Sequence, residues 1–196
     1  MFKTVMCSSL LAGLIAFGGV HATTLAVMPV AQAVSVGDSV TVNLQISGLG
    51  TGLALGVFDI DFGFDPALLS LSKVQFGNGL DVLGLGSFQA ATPGIGSINL
   101  FEVSFDTAAD LNALQPDSFD LATLVFNALT SGTSAFTLSV NALGDADGIA
   151  FPIAVLDGSA TIGASVPEPG TYALCIIGFS ALGIALRRKK QRIGVA

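Results

Sequence analysis

The sequence predicts an all-β fold, an antiparallel sandwich or jelly roll, for the body of the chain between two apolar ends. Several short segments alternate apolar and polar residues, which is the period of a half-buried strand. Turns rich in glycine separate these segments, and the chain has 24 glycines in 196 residues. No segment of the body has a convincing amphipathic helical period. A body of about 140 residues is one domain with one core.

The first two strands of the body are the clearest. In residues 39–47, Val40, Val42, Leu44 and Ile46 occupy one face, and Thr41, Asn43 and Gln45 form a polar row on the other. In residues 58–65, Phe58, Ile60, Phe62 and Phe64 are predicted to point inward, and Asp59, Asp61, Gly63 and Asp65 outward. Pro66 then ends the second strand, because proline has no amide hydrogen for the ladder.

Later segments follow the same pattern with irregularities. Between residues 97 and 106 the apolar phase changes at Leu100 and Phe101, which predicts a β-bulge. Residues 121–129 are almost continuously apolar and predict a strand buried on both faces, with a short helix as the alternative. Residues 136–142 alternate again, and residues 153–162 supply a final strand. Residues 108–116 are predicted to form a loop with a helical turn.

Three stretches of the body form a recognisable series: Leu25-Ala-Val-Met-Pro, the run Val34-Ser-Val-Gly-Asp-Ser-Val-Thr-Val, and the run Leu55-Gly-Val-Phe-Asp-Ile-Asp-Phe-Gly-Phe-Asp-Pro-Ala-Leu-Leu. Together they resemble the opening of cohesin-like domains. The resemblance covers about residues 24–163, and we take residues 23–163 as the domain. It implies a jelly-roll sandwich of about nine strands, related to carbohydrate-binding modules. Because cohesins bind dockerins through one sheet face, the resemblance also implies a dockerin-like partner.

The N-terminus has the features of a secretory signal peptide. Lys3 precedes an apolar stretch from Val5 to Val20, and Val20-His21-Ala22 offers small residues for cleavage. We therefore predict a signal peptide over residues 1–22, cleaved after Ala22. A retained N-terminal anchor helix is the alternative.

The C-terminus, residues 164–196, has three elements in a fixed order. The motif Val-Pro-Glu-Pro-Gly at 166–170 precedes an apolar run at 172–186 and a basic end at 187–192, with Arg187, Arg188, Lys189, Lys190 and Arg192. Fifteen residues of helix span about 22 Å, less than the roughly 30 Å of a bilayer core, so we predict one short transmembrane helix. The basic end stays cytoplasmic, which leaves the body on the other side of the inner membrane.

This tail is similar to the PEP-CTERM sorting signal of exopolysaccharide-producing Gram-negative bacteria. The resemblance implies recognition by an exosortase, a membrane-embedded processing enzyme, with Pro167, Glu168 and Pro169 matching the motif. The membrane anchor is then transient, and the protein continues to the cell surface or extracellular matrix. A permanent single-pass anchor is the alternative, since span length and charge fix topology but not processing.

Charge and composition exclude several functions. Residues 23–166 contain thirteen acidic residues and a single cation, Lys73, a net charge of −12 that argues against nucleic acid as a partner. His21, the only histidine, leaves with the signal peptide, so no Ser-His-Asp triad or histidine-ligated zinc exists in the mature chain. Cys7 and Cys175 lie in the two apolar ends, so the body has no disulfide.

Paired carboxylates are the remaining chemistry. Asp59 with Asp61, or Asp145 with Asp147, would suit a glycosidase, although an exposed strand face explains the first pair as well. Asp145 and Asp147 followed by Gly148 are also calcium candidates, with a hairpin turn as the favoured alternative. We therefore predict no enzyme and no cofactor, and keep calcium as a hypothesis.

The sequence thus indicates an exported, non-enzymatic structural or adhesive module in an exopolysaccharide context. A carbohydrate-binding module is the second reading, but the body has neither Trp nor Tyr, and only Phe88 and Phe151 are candidates for an exposed ring. A module for a dockerin-like protein is the third. The polar row of Thr41, Asn43 and Gln45 is one candidate binding face.

Overall fold

The computed structural model describes residues 23–50 and 52–164. The predicted signal peptide and almost all of the predicted sorting tail lie outside these residues. Within the described ranges, no helix has the length and hydropathy needed to cross a membrane.

The described residues form a two-layer β-sandwich with eleven strands and one helix, which confirms the predicted fold class. The elements are β1 Thr24–Met28, β2 Ala31–Ser35, β3 Ser39–Ser47, β4 Leu55–Gly63, β5 Leu69–Phe76, β6 Ser87–Pro93, β7 Ser97–Ser104, α1 Ala108–Leu114, β8 Phe119–Ala128, β9 Gly132–Asp145, β10 Ala154–Leu156 and β11 Gly158–Gly163. One sheet has the order β10-β1-β3-β8-β5, and the other β2-β11-β9-β4-β7-β6.

The strand number exceeds nine because two segments cross between the sheets. The N-terminal segment runs through β1 in the five-stranded sheet and, after Pro29, through β2 in the six-stranded sheet. The predicted strand at 153–162 divides in the same way at Asp157 into β10 and β11. Both sheets are antiparallel except for the pairs β1–β10 and β2–β11, which are parallel.

The core lies between β3 and β8 of one sheet and β4 and β9 of the other. The strand β3 has the predicted bounds, and its four apolar side chains are fully buried. Phe62 of β4 packs on Phe126 of β8 and Phe136 of β9, with ring centroids 5.9 and 5.4 Å away. These three rings join the two layers by burying large apolar surfaces.

The predicted bulge in β7 is wrong. The strand pairs with β4 and with β6 without a register shift, so Ile98, Leu100 and Glu102 point inward and Phe101 points outward. The apolar pattern misled because a carboxylate occupies a core position and an aromatic ring occupies an outer one. The two register shifts beside β4 lie instead in its pairing with β9, and at one of them Asn141 of β9 is an extra residue opposite Asp59 and Ile60.

The segment 121–129 is a strand, but it is not buried on both faces. In β8, Leu124 and Phe126 are buried while Thr123 and Val125 are only partly covered and Asn127 is exposed. A two-layer sandwich leaves the outer face of each sheet uncovered, even in its central strands. The predicted helical turn is the seven-residue α1, whose N-cap Thr107 accepts a hydrogen bond from the backbone N–H of Asp110 at 3.3 Å.

Candidate binding face of the six-stranded sheet

The outer face of the six-stranded sheet carries a compact group of polar side chains at its centre. Asp59 and Asp61 lie two positions apart on β4, which places both on the side away from the core. Asn99 is the cross-strand neighbour of Asp61 on β7. The bulge in β9 directs Asn141 to the same place from the other side. We call these four residues the carboxyl-amide cluster.

Four hydrogen bonds hold the cluster together. Nδ2 of Asn99 donates to Oδ1 of Asp59 at 2.6 Å and to Oδ1 of Asp61 at 3.0 Å. Nδ2 of Asn141 donates to Oδ1 of Asp59 at 3.2 Å and to Oδ2 of Asp61 at 2.9 Å. Each amide therefore bridges both carboxylates. The side chains are preorganised on rigid strands rather than on loops.

The electrostatics of the cluster are those of a fixed anionic site. The hydrogen bond from Asn141, and secondly that from Asn99, lowers the pKa of Asp61 below its ordinary value, because both amides stabilise the charged form. Among the described residues the only cation is Lys73, which lies on β5 of the other sheet and donates to Oε1 of Gln75. No protein cation in the described part of the chain therefore neutralises this face.

An aromatic strip lies beside the cluster on β6, β7 and the residue after β7. It consists of Phe88, Phe101 and Phe105. Phe88 is 54% exposed and Phe105 is 59% exposed. The rings of Phe88 and Phe101 meet edge to face, with centroids 6.0 Å apart. Because Phe101 is the cross-strand neighbour of Asp59, the strip and the cluster form one continuous surface.

The outer face of the five-stranded sheet is different. Its predicted polar row is engaged in its own hydrogen bonds: Asn43 and Gln45 donate to the two carboxylate oxygens of Asp120 at 2.8 and 3.2 Å. Thr123 donates to Oδ1 of Asn43 at 3.0 Å. Among the described residues, no exposed aromatic ring lies beside this polar row. Both polar groups are hydrogen-bonded internally, so the exposed aromatic strip is what makes the six-stranded sheet the better candidate for binding.

The second pair of predicted carboxylates forms a turn. Oδ1 of Asp145 accepts hydrogen bonds from the backbone N–H groups of Asp147 and Ile149, at 2.9 and 2.8 Å. Gly148 has a positive φ of 80°, the left-handed conformation that favours glycine in turns. The described residues include no group of three or more His, Cys, Asp or Glu side chains arranged to hold a metal. The geometry therefore supports the hairpin-turn reading.

The other predicted residues are divided between core and surface. Phe58 and Phe62 are buried, Phe64 is partly buried against the core, and Phe151 also packs against it, so of the two ring candidates only Phe88 is well exposed. Asp59 and Asp61 share the same two amide donors, and the pKa of Asp61 is lowered, whereas a glycosidase acid requires a raised pKa. Ala22, Pro167, Glu168, Pro169 and the basic residues 187–192 lie outside the described residues.

Sequence reasoning missed the amides of the cluster and the aromatic strip. Asn99 and Asn141 were separated from Asp59 by 40 and 82 positions, and the outward place of Phe101 was hidden by the apparent phase change. The alternation of β7, taken with Glu102 as an inward residue, is the signal that identifies Phe101 and Phe105 as outward.

Comparison with known families and structures gives two matches along the chain. Residues 26–162 match the family model of the cohesin domain. Residues 165–189 match the model of the PEP-CTERM protein-sorting motif, so the chain carries a sorting signal after the sandwich. The search of curated proteins found no significant match.

Several solved structures are similar to the sandwich. The solution structure of CaCohA2 from Clostridium acetobutylicum is 22% identical and has a TM-score of 0.58, covering 75% of this chain and 94% of its own. A non-cellulosomal cohesin from the archaeon Archaeoglobus fulgidus is 17% identical with a TM-score of 0.56, covering 78% and 96%. The Coh-OlpC-Doc435 complex, a type I cohesin–dockerin complex from Clostridium thermocellum, is 14% identical with a TM-score of 0.60, covering 74% and 95%.

Proposed function

The chain belongs to the cohesin family, and from this we propose that its sandwich is the binding module of an exported protein and takes a dockerin-like protein as its partner. The observation that supports this most is the continuous surface formed by the carboxyl-amide cluster and the aromatic strip. The C. thermocellum relative is described as a type I cohesin–dockerin complex, and this supports a partner of the same class.

The composition of the face suits a protein partner. Protein interfaces concentrate aromatic residues at their centres, and a few such residues supply most of the binding free energy. Phe88 and Phe105 offer apolar area that water now covers. The neighbouring Asp59 and Asp61 are held in place before binding, so a basic or hydroxyl-bearing side chain meets fixed acceptors and little entropy is lost. We infer a partner surface that combines an apolar patch with hydrogen-bond donors.

We propose that the two ends of the chain deliver this module. Cleavage after Ala22 would release the signal peptide, and the apolar run at 172–186 would anchor the precursor in the inner membrane. An exosortase-type enzyme would then recognise Pro167, Glu168 and Pro169 within the matched sorting motif. The destination is the cell surface or extracellular matrix, where the module serves a structural or adhesive role in an exopolysaccharide context.

We infer that the protein is not an enzyme. The described residues contain neither His nor Cys, and the carboxylates of the cluster are held by amides rather than set apart as acid and base. A carbohydrate-binding role is less well supported, because sugar platforms use flat aromatic rings and this face has neither Trp nor Tyr.

Affinity capture from the culture fluid tests the binding role. The immobilised mature protein is expected to retain a protein that the double variant Asp59→Asn, Asp61→Asn retains at least about tenfold less, since two charge-assisted contacts are lost. The matched control is Asn43→Ala with Gln45→Ala on the opposite sheet, which should bind normally. Loss of binding in the control but not in the cluster variant would refute the assignment of the face. Retention of a glycan in place of a protein would favour the carbohydrate-binding reading.

Mass spectrometry of the protein from membranes and medium tests delivery. We expect a mature N-terminus at Thr23 and a released form that ends near Pro169. The variant Glu168→Gln should accumulate in membranes with its basic end intact. A wild-type protein found only in membranes with Arg192 present would show a permanent anchor instead.

A further inference from the structure

The point where the chain leaves the sandwich defines one end of the molecule. Strand β11 ends at Gly163, beside Ser35 of β2, and the carbonyl of Gly163 accepts a hydrogen bond from the N–H of Val36 at 3.0 Å. The turns at 36–38, 64–68, 94–96 and 129–131 lie at this same end. Backbone hydrogen bonds join them: Gly37 to Ala128, Leu129 to Leu68, and Phe64 to Gly96. We call this surface the tail end.

The tail end presents the most exposed large apolar side chain of the described residues. Ile95 is 97% exposed at the tip of the β6–β7 hairpin, and Leu129 at the β8–β9 turn is about half exposed. The hairpin tip Thr-Pro-Gly-Ile-Gly-Ser at 92–97 has no charged residue. Its turn is fixed by a hydrogen bond from the N–H of Gly94 to the carbonyl of Ser97 at 2.8 Å. A rigid uncharged loop therefore projects an isoleucine into water.

The length of chain beyond the sandwich brings this end close to the membrane. Eight residues, 164–171, separate Gly163 from the start of the predicted span at Tyr172. Fully extended, they reach at most about 28 Å. Three strand spacings separate β11 from β7, which is about 14 Å across the sheet. Because the tether is this short, the effective concentration of the lipid surface at Ile95 is in the millimolar range.

We propose that, in the membrane-anchored precursor, the tail end rests on the lipid surface and places Ile95 and Leu129 at the boundary between head groups and acyl chains. This inference rests on the proposed anchoring by the tail. It goes further by assigning a membrane-contacting surface to the folded body and orienting the opposite end of the sandwich away from the bilayer.

The charges at the tail end indicate the kind of contact. Asp38 and Asp65 lie in its turns, where Asp38 accepts a hydrogen bond from the N–H of Ser35 at 2.8 Å and Asp65 from that of Ala67 at 2.9 Å. The described residues of this end include no cation. The contact is therefore apolar. It does not depend on anionic lipid, and added salt should not weaken it.

The test uses the precursor without its signal peptide, residues 23–196, carrying Cys175→Ser and reconstituted in phosphatidylcholine vesicles, so that each introduced cysteine is the only thiol. A nitrobenzoxadiazole probe is attached to Ile95→Cys, and to Ile149→Cys as the control, because Ile149 is 65% exposed in the turn at the opposite end. Nitroxide-labelled lipid quenches the probe only where it touches the bilayer. We expect several-fold stronger quenching at 95 than at 149, unchanged between 0.1 and 1 M salt. Leu129→Cys provides a second reporter with the same expected result.

The outcomes separate this inference from the proposed anchoring. Vesicle flotation measures anchoring by the tail, independently of the contact made by the tail end. Flotation with equal quenching at 95 and 149 would leave the anchor intact and overturn the contact surface. A chain that does not float would overturn the anchoring and this inference together. Quenching that disappears in 1 M salt would overturn the apolar nature of the contact.

Discussion

Glu102 lies on the core side of β7 and is only 1% exposed. Its Oε1 accepts hydrogen bonds from Oγ of Ser87 at 2.6 Å and from Nε2 of Gln89 at 2.8 Å, both on β6. Burial raises the pKa of this carboxyl group, the two hydrogen bonds offset part of the rise, and the nearby charge of Asp81 adds to it. The folded protein therefore favours the protonated form more than the unfolded chain does.

This shift makes folding stability depend on pH in a defined direction. A carboxyl group whose folded pKa is raised contributes its full stability below the unfolded pKa, near 4.5, and loses it as the pH rises through the folded value. Glu102→Gln keeps the acceptor oxygen and removes the charge. We expect the variant to be more stable than wild type at pH 7, by on the order of 1 kcal/mol, and similar near pH 4. Urea unfolding at both pH values measures this, and parallel pH profiles would contradict it.

Asn141 controls the ionisation of the candidate face. Because its amide is the largest cause of the lowered pKa of Asp61, Asn141→Ala should raise that pKa toward its ordinary value of 3.8. Titration of the carboxyl carbons by NMR measures the change. Asn43→Ala on the other sheet is the control and should leave Asp61 unchanged. An Asp61 pKa that does not move in Asn141→Ala would show that the β9 bulge does not organise the cluster.

At the level of elements, alternation predicted the strands whose inward residues are all apolar. The bounds of β3 and the inward set of β4 followed because each apolar side chain fills the core. The prediction for β7 failed because Glu102 lies on the core side and accepts hydrogen bonds from Ser87 and Gln89 on β6, which no local pattern reveals. Likewise, Asp59 and Asp61 were predicted on the outer face, but the amides that hold them come from distant strands.

The helix α1 depends on one side chain for its position. Seven residues are too few for a stable isolated helix, so its tertiary contacts must hold it. Gln115, its C-cap, accepts from the N–H of Leu55 at 2.6 Å and donates to the carbonyls of Leu55 and Gly79 at 2.9 and 2.8 Å. One amide thus links α1, the start of β4 and the loop after β5.

Removal of this amide should weaken the whole sandwich. Gln115→Ala leaves three backbone groups without their partner, and we expect a loss of about 2–3 kcal/mol in the free energy of unfolding. The matched control is Gln75→Ala, whose side chain makes an exposed hydrogen bond with Lys73 and should change stability by less than about 0.5 kcal/mol. Equal losses in the two variants, measured by urea unfolding, would refute the linking role.

On the scale of the whole molecule, the inner and outer faces of the sandwich divide the phenylalanines between folding and recognition. Phe126 stacks between the sheets on Phe62 and Phe136, whereas Phe88 lies on the outer face with more than half of its surface in water. A two-layer fold stabilises itself with its inner residues alone. The outer rings are then free to bind a partner.

Replacing a phenylalanine by alanine should therefore lower stability on the inner face and partner binding on the outer face. Phe126→Ala removes a buried ring and is expected to cost about 3–5 kcal/mol of unfolding free energy. Phe88→Ala should cost less than about 1 kcal/mol, yet weaken capture of the partner by about tenfold or more if the ring is an anchor of the interface. Thermal unfolding and the capture assay measure the two quantities on the same samples. The exposed ring of Phe88 has no role in folding, so a role in binding is what would account for its place beside the preorganised carboxylates. A Phe88→Ala protein that binds as well as wild type would therefore show that the interface does not include the aromatic strip.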